Sequence, residues 1–241
     1  MGDDRAVVTG ASRGIGRAVA RRFVRSGTRV VGVGRDRAAL SELRRELGGL
    51  FEPRPVDLLE PAALSELCAM LADEEIMTLV NNAGTNVSDT ALDIDPAVWN
   101  RFVELNVTVP MRLAQAAGTG MVARGTGRIV NIGSVWGLRG RAGRATYATT
   151  KTALLGLTRT MACDLAPHGV LVNAVCPGPT DTDLTARLLT AKARAELVAS
   201  IPMGRLASPD EIASLVHYLG SDLNTYITGQ AIAIDGALTA Q

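Results

Sequence analysis

A chain of 241 residues, 47% hydrophobic and 20% charged, has the makeup of a globular protein, and its length fits one domain over residues 1–241 better than two cramped ones. Twenty-five basic and 24 acidic residues leave a net charge of +1, too little for a surface built to hold nucleic acid. Cys68, Cys163 and Cys176 are odd in number and widely spaced, which argues against a disulfide framework or a zinc knuckle, so no metal is expected. Residues 1–5 are acidic with no apolar leader, and Ala6 stands where a myristoylation signal after Gly2 wants Ser or Thr. No stretch reaches the roughly 18 apolar residues of a membrane span, so a cytoplasmic protein without a membrane partner is expected.

Along the chain, short β-branched runs alternate with longer segments of helical period. Strands are predicted at 6–9, 29–33, 51–56, 76–80, 128–132, 170–175 and 231–234, and helices at 15–26, 37–47, 61–72, 96–117, 147–166 and 209–219. That rhythm predicts an α/β fold, a Rossmann-type doubly wound sheet of seven mainly parallel strands with helices on both faces. Residues 181–205 break the rhythm. They carry helical pattern, are flanked by Pro177, Pro179 and Pro202, and follow a strand where such folds bind ligands, so a small helical lid is expected there.

The first strand runs directly into Thr9-Gly10-Ala11-Ser12-Arg13-Gly14-Ile15-Gly16, and a helix follows. Glycines in such a turn let the backbone approach a pyrophosphate, whose charge meets the free N–H groups and dipole of the helix N-terminus. The spacing, with glycines at 10, 14 and 16, resembles the fingerprint of the short-chain dehydrogenase/reductase family. Further pieces of that pattern follow in order over the whole chain: Asp57, Asn81-Asn82-Ala83-Gly84, Asn106, Ser134, Tyr147, Lys151, Pro177-Gly178 and Asp235-Gly236. The resemblance implies a nicotinamide cofactor held by Gly10, Ser12, Arg13, Gly14, Ile15 and Gly16, with Asp57 and Leu58 at the adenine. It places Asn81, Ala83 and Gly84 at the adenosine ribose, and Pro177, Gly178, Thr180 and Thr182 against the nicotinamide.

The choice of cofactor turns on the end of the second strand, Val33-Gly34-Arg35-Asp36. A carboxylate at the tip suits the ribose 2′-OH of NAD(H), whereas NADP(H) needs room and cations for a 2′-phosphate. By register the tip is Gly34, and Arg35 and Arg13 stand ready for a phosphate, so NADP(H) is expected over NAD(H). Asp36 lies about 20 residues beyond the glycines and is the competing residue by count.

All cations but Lys151 and Lys192 are arginine. Tyr147 and Lys151 are one helical turn apart on a predicted helix, which puts them on one face. A phenol is a poor acid or base at neutral pH, and a neighbouring ammonium is expected to shift it toward the working range. Ser134 lies 13 residues before Tyr147, a spacing that resembles the catalytic Ser and Tyr of the family. The resemblance implies that Ser134 positions a substrate carbonyl, that Tyr147 protonates it, that Tyr147 and Lys151 also touch the cofactor, and that Asn106 holds a water on the way from Lys151 to solvent.

Similarity is greatest to the branch that includes 3-oxoacyl-(acyl-carrier-protein) reductases, notably in residues 201–206 and 226–229. The expected activity is therefore reduction of a small or carrier-bound carbonyl compound; the alternatives are an oxidative alcohol dehydrogenase and a non-catalytic NADP-responsive binding protein. Relatives that reduce carrier-bound substrates often have arginines where this chain has Gly125 and His168. Arg139, Arg141 and Arg144 could form a rim for an acidic group or belong to a solvated loop. Trp136, Leu184 and Met203 are candidate pocket walls or core residues. Apolar residues on two sides of the catalytic helix, Ala148, Leu155, Ala162 and Cys163, predict a covered face and a homotetramer or dimer.

Overall fold

In the computed structural model, which describes residues 5–182, 185 and 190–240, the β-branched runs pair into a seven-stranded sheet. Its strands are β1 (Arg5–Thr9), β2 (Arg29–Gly34), β3 (Phe51–Pro55), β4 (Ile76–Asn81), β5 (Gly127–Ile132), β6 (Val170–Pro177) and β7 (Ala231–Ile234), in the order β3-β2-β1-β4-β5-β6-β7. Every pairing is parallel, so the sheet expected to be mainly parallel is wholly so among the described residues.

Parallel strands need crossovers, and the helices supply them on both faces. On one face α1 (Gly14–Arg25), α2 (Arg37–Leu47) and α9 (Pro209–Leu219) bury Phe23, Leu40, Leu43 and Val216 against Ala6, Val8 and Val30. On the other, α3 (Pro61–Asp73), α5 (Val109–Arg124) and α7 (Ala145–Leu165) bury Leu64, Leu67, Leu113 and Ala162 against Val7, Val31 and Leu79. Successive strand residues thus enter opposite cores, which is why these strands are apolar throughout rather than alternating. Helix starts follow local chemistry. Ser208 and Glu211 form a reciprocal capping box around Pro209 at the start of α9.

Two segments differ from the sequence expectation. The helix predicted over 96–117 is α4 (Pro96–Val103), a π-helical turn at Glu104–Thr108, and α5, which runs on to Arg124 and stops at Gly125 with φ of 71°. Pro110 follows directly; it has no N–H to give to the helical ladder, and the wider turn before it places Asn106 inward, 1% exposed. In the expected lid, Ala191–Ala199 forms α8, while Leu184 lies outside the described residues. A single turn, α6 (Val135–Leu138), was also hidden from periodicity by its length.

The two-sided apolar character of α7 is partly explained within one chain: Leu155 and Ala162 face the protein's own core. What remains outside is a stripe of exposed small residues, Thr149, Thr152, Ala153, Gly156, Thr160 and Cys163.

A polar latch joins the ends of β1 and β4, where the crossovers change direction. Thr9 Oγ1 accepts from the backbone N–H of Asn82 (3.0 Å) and Ala83 (2.9 Å), and the Asn82 side chain donates to the carbonyl of Thr9 (2.8 Å). Replacing Thr9 by the isosteric Val leaves the part-buried N–H of Ala83 without its acceptor, while that of Asn82 keeps the carbonyl of Val80, so unfolding in urea is expected to show a loss of about 1 kcal/mol.

Candidate active site

The carboxyl ends of the strands open into one cleft of about 1140 Å³, on the side where a topological switch between β1 and β4 leaves a crevice. At one end it is floored by the turn after β1. Gly10 has φ of +67°, the left-handed region that favours glycine, and this makes the sharp exit from the strand. Gly16 is required for a different reason: a β-carbon there would stand 2.2 Å from the carbonyl oxygen of Gly10 and 2.4 Å from Asn82 Nδ2. It seats α1 against the turn and does not line the cleft. The first turn of α1 holds no acidic residue and no side chain caps it, so its N–H groups and positive dipole end face the cleft uncompensated.

Gly10, Ser12, Arg13, Gly14, Ile15, Arg35, Asp57, Leu58, Ala83, Gly84, Pro177, Gly178, Thr180 and Thr182 all line this cleft. Asn81 does not. It is 3% exposed, with its amide donating to Asn131 Oδ1 (3.0 Å) and the carbonyl of Pro110 (3.3 Å), and Asn82 takes its place at the wall. Strand alternation accounts for the swap, because β4 ends on Asn81 pointing into a core.

At the tip of β2 the acidic candidate is already engaged. Asp36 Oδ1 accepts from the N–H of Ala39 at 3.0 Å and caps α2. Arg35 stands 3.9 Å from Asp57, and Arg13 has no ion-pair partner among the described residues. Gly34 leaves the tip open, since the nearest atom to a β-carbon there would be Ser12 Oγ at 3.5 Å.

At the other end the catalytic candidates converge. The start of α7 is fixed by Asp89, whose carboxylate accepts from the N–H and hydroxyl of Thr146. This delivers Tyr147 and Lys151 to the cleft with Ser134, which begins α6 and accepts from Trp136 N at 3.1 Å. Ser134 is therefore a cap and a cleft residue together. Lys151 is 5% exposed; its Nζ donates to the carbonyl of Ile132, the last residue of β5, at 2.7 Å and lies 5.8 Å from the Tyr147 ring centroid. Asn106 does not line the cleft but braces it from behind. Its Nδ2 donates to Thr150 Oγ1 (3.1 Å), its Oδ1 accepts from Thr85 N (3.1 Å), and that oxygen and Lys151 Nζ converge on Gly84.

Burial sets the electrostatics. It pushes the Tyr147 phenol above its usual pKa, with the Ser134 hydroxyl and the charge of Arg144 pulling the other way, and it lowers the Lys151 ammonium from 10.5 to about 8. The acidification expected from Lys151 is not what opposes this rise: the opposing pulls come from Ser134 and Arg144, and loss of water outweighs them. Beneath the pair, burial raises the Cys176 thiol to about 11. Gly133 makes space for this sulfur, which would sit 3.0 Å from a β-carbon at that position.

Among the other candidates, Trp136, Arg141 and Arg144 line the cleft, whereas Arg139 does not. Met203 is also absent from its wall; it is 61% exposed and sits beside Gly236. Residues that sequence reading missed include Arg101, Asn86 and Glu196, which line the cleft from α4, the loop after β4 and α8. No local motif marks them, since only tertiary packing brings these segments to the mouth. Among the described residues there is no cluster of side chains that could hold a metal ion, and no helix is long and apolar enough to cross a membrane.

Comparison with known proteins agrees with this geometry. A family model described as enoyl-(acyl carrier protein) reductase matches residues 10–239. The 3-oxoacyl-(acyl-carrier-protein) reductase FabG of Salmonella typhimurium is 37% identical over 235 residues, which cover 97% of this chain and 96% of that protein. A structure from Beutenbergia cavernae, described as an NAD(P)-dependent gluconate 5-dehydrogenase with NADP bound at low occupancy, is 36% identical with a TM-score of 0.95 over 100% of this chain and 98% of its own. ElxO with NADP bound is 25% identical with a TM-score of 0.92 over 100% of both chains. Motif order, parallel sheet and cleft agree with these likenesses: the chain is an oxidoreductase that belongs to the short-chain dehydrogenase/reductase family.

Proposed function

We propose that the chain reduces a carbonyl compound, a 3-oxoacyl thioester or a related ketone, with hydride from NADPH and with Tyr147 as the proton donor. The observation that carries this reading is the meeting of Ser134, Tyr147 and a buried Lys151 in the same cleft as the glycine turn. The residues present fit the cofactor. The uncapped N-terminus of α1 suits a pyrophosphate, and Arg13 and Arg35 beside the open tip at Gly34 suit a 2′-phosphate, while Asp36 is committed to its helix. NADP is also what the Beutenbergia cavernae structure and ElxO hold. When bound, the cofactor supplies hydride to the carbonyl carbon.

The protein's part is to hold the carbonyl oxygen and manage a proton. Ser134 and Tyr147 offer two hydroxyls to one oxygen, on which negative charge grows as the carbonyl is reduced. A phenol whose pKa burial keeps high stays protonated at neutral pH, as a proton donor must. Once Tyr147 has given its proton, Lys151 one turn away stabilises the phenolate and can restore the proton, because its own pKa near 8 makes the ammonium a competent acid. Asn106, Thr150 and Thr85 keep that region rigid. We expect copies to pair through the exposed small-residue stripe of α7 and through the preceding long helix, α4 to α5, giving a dimer or tetramer by light scattering.

Tyr147→Phe is expected to lower kcat by ~10²–10⁴-fold with NADPH affinity nearly unchanged, and substantial residual turnover would remove Tyr147 from its role. Lys151→Arg should also be slow, since a guanidinium does not release a proton in this range. In the wild type, carbonyl reduction needs Lys151 protonated, so its rate falls as pH rises through about 8, while oxidation of the product alcohol gains over the same interval. For the cofactor, replacing Arg13 and Arg35 together by Ala should weaken NADPH binding at least about tenfold and leave NADH nearly untouched. Asp36→Ala should instead cost about 1 kcal/mol of stability, the worth of a cap, without weakening NADPH. Fluorescence titration and urea unfolding separate these outcomes.

A further inference from the structure

The substrate end of the cleft is walled by guanidiniums that no carboxylate neutralises. Arg141 and Arg144 line it together with Ser134, Trp136 and Tyr147. Arg5, Arg17, Arg21, Arg194 and Arg205 each meet a carboxylate within 3.1 Å, whereas neither Arg141 nor Arg144 has an ion-pair partner among the described residues. Glu196, the carboxylate that α8 adds to the wall, stands 4.0 Å from Lys192.

These cations are nevertheless held in place. Arg144 Nη1 donates to Asn86 Oδ1 and to the carbonyl of Val87, each at 3.1 Å. The guanidinium carbon of Arg141 lies 4.6 Å from the Trp136 ring centroid, and that of Arg139 lies 5.7 Å from it. Partial burial lowers the pKa of Arg141, and so do the charges of Arg144 and Arg139. Hydrogen bonds and stacking hold Arg141 and Arg144 in place, yet no carboxylate among the described residues neutralises their gathered charge. An anion from outside would.

We propose that Arg141 and Arg144 bind a carboxylate carried by the substrate itself, so that the compound reduced is a keto acid. This rests on the carbonyl-reductase reading and narrows it. Arg144 precedes α7 directly, and its charge reaches the phenol of Tyr147. An anion paired with it therefore lies close to the reacting carbonyl, as a carboxylate a few bonds away does and the phosphate at the far end of a carrier arm does not. Trp136, with Arg141 stacked on it, gives a flat wall for the carbons between.

The test uses purified enzyme saturated with NADPH and two matched pairs: acetoacetate against methyl acetoacetate, and 3-oxobutyryl-pantetheine with and without its 4′-phosphate. The acid is expected to exceed the ester in kcat/KM by at least about tenfold, with the excess shrinking in about 0.5 M salt. Arg141→Gln and Arg144→Gln should bring the acid-to-ester ratio toward one, chiefly through KM for the acid. Arg141→Lys should restore part of it, which separates charge from lost packing on Trp136. The proposal is overturned by an ester used as well as the acid, by an unchanged ratio in both Gln variants, or by a gain confined to the phosphorylated thioester. If neither pair is turned over, the reductase reading fails on its own, and calorimetric binding decides the subsite. Acetoacetate binding that the ester lacks and Arg141→Gln abolishes upholds it; equal binding of acid and ester sinks it.

Discussion

An ammonium buried to 5% exposure, with its Nζ 2.7 Å from the carbonyl of Ile132, is the constraint around which the active end of this protein is arranged. Removing such a group from water is costly, and one strong hydrogen bond to the end of β5 offsets only part of that cost. The residue is therefore held where its proton is loose, with a pKa near 8, and one turn from the Tyr147 phenol. Gly84 leaves room for it, and the π-helical turn at Glu104–Thr108 sets Asn106 behind it. An arginine would satisfy the carbonyl but keep its proton, which gives a physical reason for a lysine here in a chain otherwise so rich in arginine.

The sheet turns this local chemistry into a two-ended site. Parallel strands bring all their carboxyl ends to one side, and the change of winding between β1 and β4 opens the crevice there. One half receives the glycine turn and the free end of α1, the other Ser134 and α7. The latch of Thr9 on Asn82 and Ala83 fixes the halves against each other, so the position for a cofactor and the position for proton transfer are set by the same hydrogen bonds.

Charge divides the cleft as well. Arg13 and Arg35 lie at the end suited to a nucleotide, and Arg141 and Arg144 at the end suited to substrate, in a chain whose net charge is only +1. Some of the other arginines meet carboxylates, as Arg17 and Arg21 do with Glu42 and Glu46 between α1 and α2. An almost neutral protein thus keeps two regions of concentrated positive potential, and both are concave.

The order of strands and helices, the glycine turn and the Tyr147–Lys151 pair were legible in the sequence, because each depends on spacing along one element: period two or 3.6, a turn that only glycine fits, or one helical turn between partners. Other features were decided by contacts between elements distant in the chain. Asp36 caps α2 while still lining the cleft, Asn81 faces a core while Asn82 faces the cleft, and Met203 stays outside. Even the sign of the Tyr147 shift needed three dimensions, since the helix supplies the neighbouring charge but only the packed fold removes the water. Spacing fixes which residues share a face of one element; burial, and with it the balance of charge and desolvation, exists only once the elements have come together.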